Sequence, residues 1–483
     1  MSTKEVTRDH NYSRPLDVHL TCNHPEIKEL VEDIFNEYFD PSSSNINIVK
    51  KHLKVVLLDL YVAWNIDPML EIGVHMSPND YSDGTVFSKG KSRYNQLHIK
   101  RTIINVIHTL RDKGLIGFYK GTEANQKVSR IWTSPSLEGY FKKMKVEVFD
   151  ILQQQQEVII LRDKDKIDIE YEDTNETNEM RQVLRDYNDL LRQTFIDIPI
   201  LETPIIPNKD IKISIGQHDK FVRRIFNNSS FEEGGRFAGG WWQRINEKQR
   251  SRILINDKPT VEIDFKALHP ILAYAMKGLD YWSITDKDPY DVTTINIDNA
   301  EAGRTLVKLL FLMALNADDE KVAFQAVIGK WDYQLYPYHG LFTHEYLGSL
   351  LSKIKEQHEP IADLFCSGAG INLMNIDSQI VEYIIKDFTE SRIPLLTIHD
   401  SFVVQFDLED RLYRQMQTAF QWITGNYEIK TKMNNNMTLN KLNQFKTGVD
   451  RDHYFSQIKT LQVERCKGYL ERFAKHKSFF KSI

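Results

Sequence analysis

From Tyr94 to Leu115 apolar residues recur at Leu97, Ile99, Ile103, Ile104, Val106, Ile107, Leu110 and Leu115. The spacing, largely three and four, predicts an amphipathic helix that Gly114 stops. Two β-prone runs follow, Ile116–Tyr119 and Val128–Thr133, separated by the turn-rich stretch Lys120–Lys127, which predicts a hairpin. Gln153–Gln156 is a polar tract and Asp163–Glu179 is acidic, so this region reads as a connector before the helical pattern Met180–Phe195. Further along, a β-rich run ends at Asp264, and a helical pattern through Leu268, Ile271, Leu272 and Ala275 starts behind it. A strongly apolar helix is predicted around Arg304–Ala317, another over Asn372–Lys386, and two β runs flank His399-Asp400-Ser401. The mixture predicts an α+β fold.

The pattern divides the chain into a polar segment 1–44, a module 45–145, a connector 146–203, a central region 204–425 and a tail 426–483. Helices followed by a two-stranded ribbon make the 45–145 module resemble a winged helix-turn-helix, in which Lys89, Lys91, Arg93 and Lys100-Arg101-Thr102 would face phosphates. The same pattern also suits a structural or protein-docking module. No internal repeat is visible.

Composition narrows the picture. The chain has 483 residues, 41% hydrophobic and 27% charged, which excludes disorder and is ample for a buried core. No apolar run reaches the length of a spanning helix, and Met1–Arg14 lacks the apolar stretch of a signal peptide. Cys22, Cys366 and Cys466 lie too far apart for a CxxC zinc site or a disulfide framework, so a reducing, cytoplasmic setting and no membrane partner are expected. The net charge of −5 carries no nucleic-acid footprint. From Lys430 to Ile483, however, 12 Lys and Arg stand against 4 Asp and Glu, with Tyr454, Phe455, Tyr469, Phe473, Phe479 and Phe480 interleaved. Such a tail reads either as a strand-following surface with rings for stacking or as an amphipathic helix capping a core.

Four segments carry candidate chemistry. A strand delivering Asp264 at its end places a carboxylate at a sheet edge, as a metal ligand or simply as a helix cap. The turn His399-Asp400 between two β runs has no structural need for an acid at its tip, since Asn-Gly turns better. Two such acids suffice for Mg²⁺, which takes its remaining ligands from phosphates and water. Arg304 and Lys308 stand four apart on one helix face, where they neutralise a triphosphate or form a solvated basic stripe. Gly234-Gly235-Arg236 through Gly239-Gly240-Trp241-Trp242-Gln243, then Arg250 and Arg252, combines glycines for close approach with arginines and rings for phosphates and bases, or forms a packed turn.

In this order the segments resemble the polymerase domain of the DNA polymerase I family (family A) and the related bacteriophage-type single-subunit RNA polymerases, over roughly residues 230–425. The resemblance implies an antiparallel palm sheet with helices, helical fingers, and template-directed nucleotidyl transfer to a DNA primer–template. It implies that Asp264 and Asp400 bind two Mg²⁺ ions (or Mn²⁺), and that Arg304 and Lys308 hold the incoming dNTP. His269 and Asn316 would border that nucleotide, and His399 would lie near the primer terminus. Arg236, Trp241, Trp242, Gln243, Arg250, Arg252 and Gln379 would contact nucleic acid. The chain departs from the family at Ser401, where DNA polymerases carry Glu, and at Asn316 and Ala317, where the fingers helix carries an aromatic residue and Gly. His269, five residues past Asp264, is bulky enough to clash with a ribose 2′-hydroxyl, which favours dNTPs. There is no room for a 3′–5′ exonuclease domain, so no proofreading is expected. The alternatives are a single-subunit RNA polymerase or primase-like enzyme using RNA and NTPs, a non-catalytic DNA-binding replication protein with a relic palm, and an unrelated α+β protein.

Overall fold

In the computed structural model, Pro25 opens helix α1 (Pro25–Tyr38) at a position where its missing N–H costs nothing, and the His24 ring accepts from the Glu26 N–H. The structure describes residues 8–481 apart from 9, 11, 43–44, 82–91, 96–97, 123–127, 155, 209–210, 295, 331 and 435–462. The chain is α+β and forms two compact units. The first comprises Met1–Arg223, Ala238–Thr260 and Met437–Ile483; the second comprises Arg224–Phe237 and Val261–Asn436. The division cuts through the 204–425 stretch that the sequence pattern treats as one region. Among the described residues no helix is long and apolar enough to cross a membrane.

In the first unit α1 packs on α2 (Ile46–Ile66), which also packs on α3 (Thr102–Asp112). Strand β1 (Ile72–Val74) pairs antiparallel with β3 (Ser129–Thr133), which forms the expected hairpin with β2 (Ile116–Tyr119). In the periodic stretch from Tyr94 the helix begins at Thr102. Asn95 binds the backbone of Ile99 through both its amide atoms, at 2.9 and 3.2 Å, and His98 takes a left-handed φ of +50°. This local turn competes with the helix and wins. Lys100 and Arg101 are exposed, whereas Arg93 is engaged by Glu170 and Asp173 and stacks 3.5 Å over Tyr171; Lys89, Lys91 and Leu97 lie outside the described residues. In the expected connector, α4 (Asn175–Gln193) starts at a Thr174–Thr177 capping box.

The second unit contains the ribbon of β4 (Arg223–Asn227) and β5 (Ser230–Ala238), neighbours in one sheet. A second sheet uses β6 (Lys258–Phe265). Its partners come after the helices α5 (Leu268–Met276), α6 (Ala300–Asn316) and α7 (Gly370–Glu390): first the hairpin β7 (Leu396–Ile398) and β8 (Ser401–Gln405), then α8 (Glu409–Thr424) and β9 (Thr431–Asn434). The order β7-β8-β6 and the pairing of β9 with β6 make an antiparallel core. Period-two alternation on β6 turns Ile263 and Phe265 to one face and Glu262 and Asp264 to the other. Phe265 packs against Phe402 of β8 and Phe420 of α8, at 6.2 and 6.4 Å between ring centres.

The tail ends as α9 (Lys467–Lys481), docked within the first unit. Tyr469 is fully buried edge-on to Phe195, its hydroxyl donates to Asp257 at 2.8 Å, and Arg472 pairs with Asp197 at 2.7 Å. Phe479 and Phe480 meet Phe149 at 5.5 and 6.0 Å. In this segment Tyr469 is core and Phe473, Phe479 and Phe480 are partly buried, a packing that the capping-helix alternative expects; Tyr454 and Phe455 lie outside the described residues.

Candidate active site

Strand β6 and the β7/β8 hairpin bring Asp264 and Asp400 together. Ile398 pairs with Ser401, so His399 and Asp400 form a two-residue turn. His399 carries the left-handed φ (+54°) that such a turn demands, and it is exposed. The Phe265 N–H donates to the Asp400 carbonyl oxygen at 3.4 Å, so the end of β6 adjoins the hairpin tip. Ala267 also takes a φ of +54°, turning the chain sharply from β6 into α5. Two non-glycine residues thus take this strained conformation close in sequence to the two acids, His399 immediately before Asp400 and Ala267 three residues after Asp264.

Both acids are half-buried. The Asp264 carboxyl is pushed up to about 7 by burial and then by the charge of Asp400, with Lys308 pulling the other way. Asp400 is raised by burial and then by Asp377, opposed in part by Arg236. Glu262, on the same face of β6, lies 3.0 Å from Ser401 Oγ. A group of acids this crowded is better accommodated with a cation among them.

Helix α6 faces this group with its basic residues. Asn299 caps it by accepting from the N–H groups of Glu301 and Ala302, and Leu306, Val307, Leu310 and Phe311 are buried. Arg304 and Lys308 are exposed, 5.3 and 6.0 Å from the Tyr290 ring centre, and Arg304 pairs with Asp288 at 2.8 Å. Burial and then the charge of Asp400 raise the Tyr290 hydroxyl, which ties this ring to the acids as well as to the cations. Asn316 stands eight residues beyond Lys308, about 12 Å along the axis. Its amide donates to Leu312 O at 2.7 Å.

Arg236 and His269 converge on Asp377 of α7. Arg236 Nη2 lies 3.1 Å from Asp377 Oδ2 and 3.1 Å from His269 Nε2, and Arg236 Nε lies 3.3 Å from the same carboxylate oxygen. The strand carrying Arg236 is pinned to α7 by buried Arg224, which donates to Gly235 O, Ser378 Oγ and Glu382 at 2.9, 2.9 and 2.6 Å. Gly235 has a φ of +83°, and a Cβ there would come 2.7 Å from Ser378 Oγ, so only glycine lets strand and helix approach this closely. Sequence reasoning missed Asp377. Its available signal was an acid at helical spacing among Leu373, Ile380 and Ile384 on a buried face. Gln379, two residues past Asp377 and so turned away from that face, is exposed with its amide nitrogen donating to Asn375 Oδ1 at 2.8 Å.

The remaining candidates belong to the first unit. Trp241 and Trp242 have no exposed surface and stack edge to face at 6.0 Å, so the expectation that they contact bases is corrected: both rings are core. Gln243 Oε1 accepts the Gly239 N–H at 3.0 Å, Arg250 donates to Ile245 O at 2.8 Å, and Arg252 is exposed.

Among the described residues no group of three or more histidine, cysteine or carboxylate side chains converges as a metal cage. The donor set is therefore two mutually repelling carboxylates, which fits a Mg²⁺ ion that completes its shell with water and phosphate oxygens and does not fit an all-protein site. No protein-family model matches the chain, and no curated protein matches it.

Proposed function

We propose that the chain is a template-directed DNA polymerase, with its nucleotidyl-transfer site in the second unit and dNTPs and a DNA primer–template as substrates. The observation that carries this reading is the meeting of Asp264 and Asp400, from chain segments far apart, where Phe265 N–H reaches Asp400 O at 3.4 Å. Asp264 and Asp400 would hold Mg²⁺ ions, whose chemistry when bound is to activate the attacking oxygen and stabilise the leaving phosphate. Lys308 neutralises triphosphate charge beside Asp264. Arg304 turns from Asp288 to the triphosphate, exchanging one anionic partner for another. His269, held by Arg236, limits the space for a 2′-hydroxyl. The exposed Lys100 and Arg101 at the start of α3 support duplex contact by the 45–145 module.

The test is extension of a primed template by the full chain with labelled dNTPs or NTPs. Incorporation of dNTPs alone is expected. Incorporation of NTPs alone transfers the site to an RNA polymerase or primase-like activity and removes the assigned role of His269. Duplex binding without incorporation of either leaves the relic-palm alternative.

A further inference from the structure

We infer that Lys266, Lys430 and Lys432 form a phosphate-binding corner beside Asp264 and take the pyrophosphate that leaves the incoming dNTP. The inference rests on the proposed nucleotidyl transfer and names the seat of its leaving group.

Strand register brings the three lysines together. In the antiparallel pair of β6 and β9, Asp264 stands directly opposite Lys432 and Phe265 opposite Thr431. The ladder runs one step further, to Lys266, whose N–H donates to the Lys430 carbonyl oxygen at 2.8 Å. Opposed residues share a sheet face, as do residues two apart along one strand. Asp264, Lys266, Lys430 and Lys432 therefore lie on one face, with neighbouring Cβ atoms about 5–8 Å apart. The side chains agree: the Lys430 and Lys266 ammonium groups lie 3.9 and 5.6 Å from the centre of the same Trp282 ring.

Such a gathering of cations is unfavourable by itself, because like charges directly opposite one another destabilise a strand pair. Among the described residues Lys430 alone of the three is in contact with a carboxylate, Asp286 at 3.0 Å, and Asp286 is exposed. The Trp282 Nε1–H between these side chains is buried with no hydrogen-bond partner. Lysines on an edge strand deter pairing between sheets. That accounts for Lys432 but not for Lys266, which follows β6 inside the sheet. A polyanion seated among the three relieves their repulsion.

Position selects the anion. The N–H groups of Phe265 and Lys266 point to Asp400 O and Lys430 O, on opposite edges of β6. The lysines thus stand on the side of Asp264 away from the His399-Asp400 turn. In nucleotidyl transfer the primer 3′-oxygen bonds to the α-phosphorus, its proton passes to solvent, and the α–β bridging oxygen departs with pyrophosphate. The attacking and leaving oxygens stand roughly in line. Pyrophosphate carries the most concentrated negative charge of the reacting groups, so it belongs over β9, with the attacking strand end over the hairpin.

The experiment is equilibrium dialysis of the full chain against radiolabelled pyrophosphate with Mg²⁺, alongside its affinity for primed DNA and its primer extension with dNTPs. Lys266→Gln and Lys432→Gln are each expected to weaken pyrophosphate binding about tenfold, the worth of one hydrogen bond to a charged group, and to leave primed-DNA affinity unchanged. Lys432→Arg keeps the charge and is expected to retain pyrophosphate, which separates lost charge from misfolding. No pyrophosphate binding by the unaltered chain, or unchanged binding in either Gln variant, overturns the inference. So does loss of primed-DNA affinity with pyrophosphate binding intact, which assigns the lysines to the strand backbone. Lysine-dependent pyrophosphate binding by a chain that extends no primer instead overturns the polymerase reading beneath it.

Discussion

Asp264 and Lys432 stand directly opposite each other across β6 and β9. Opposed charges on paired strands stabilise one another modestly, and Lys432, like Lys308, holds Asp264 down against burial and Asp400. Even so, the Asp264 carboxyl lies at about 7, far above the ordinary carboxylate range.

That displacement fixes the sign of a stability change. Between the unfolded carboxyl near 3.8 and the folded one near 7, the folded chain holds the extra proton. Stability from this group is therefore full below about pH 4 and declines as pH rises through 7. Asp264→Asn should stabilise the chain by on the order of 2 kcal/mol at pH 8 and by little at pH 4. Denaturant melts at the two pH values check this. A gain of equal size at both would show that charge is not its source.

Lys308 neutralises Asp264 from α6 and, in the proposed reaction, the triphosphate. Lys308→Ala should lower kcat/KM for dNTP by about a hundredfold and, because Asp264 loses an opposing cation and must ionise to hold metal, shift the rate's dependence on pH to higher pH. Steady-state extension across pH 6 to 9 measures both. A lower rate with an unmoved profile would separate Lys308 from Asp264.

Gly235 carries the approach of β5 to α7. Gly235→Ala meets Ser378 Oγ at 2.7 Å and keeps a φ of +83°, so it should cost about 1–3 kcal/mol in urea unfolding and weaken activity through Arg236. Wild-type stability in this variant would mean that strand and helix do not need the close contact.

What the sequence made legible is local. The strand ending at Asp264, the hairpin with His399-Asp400 at its turn, and the Arg304–Lys308 helix face all follow from spacings of two, three or four residues. Asp377 was illegible because its partner, Arg236, lies 141 positions away and its own helix reads as plain apolar periodicity. Trp241 and Trp242 suit either a base-stacking surface or a core, and residue type alone does not choose between them. The two units were equally hidden: the chain crosses between them inside β4, β5 and β6, where an unbroken strand leaves no shift in composition.

The pairing of two acids as the seat of chemistry is tested most directly by primer extension with Asp264→Asn and Asp400→Asn, each assayed alongside duplex affinity. Both variants should lose dNTP incorporation by about a thousandfold or more while binding primed DNA as tightly as the parent. Undiminished synthesis by either one would contradict the account.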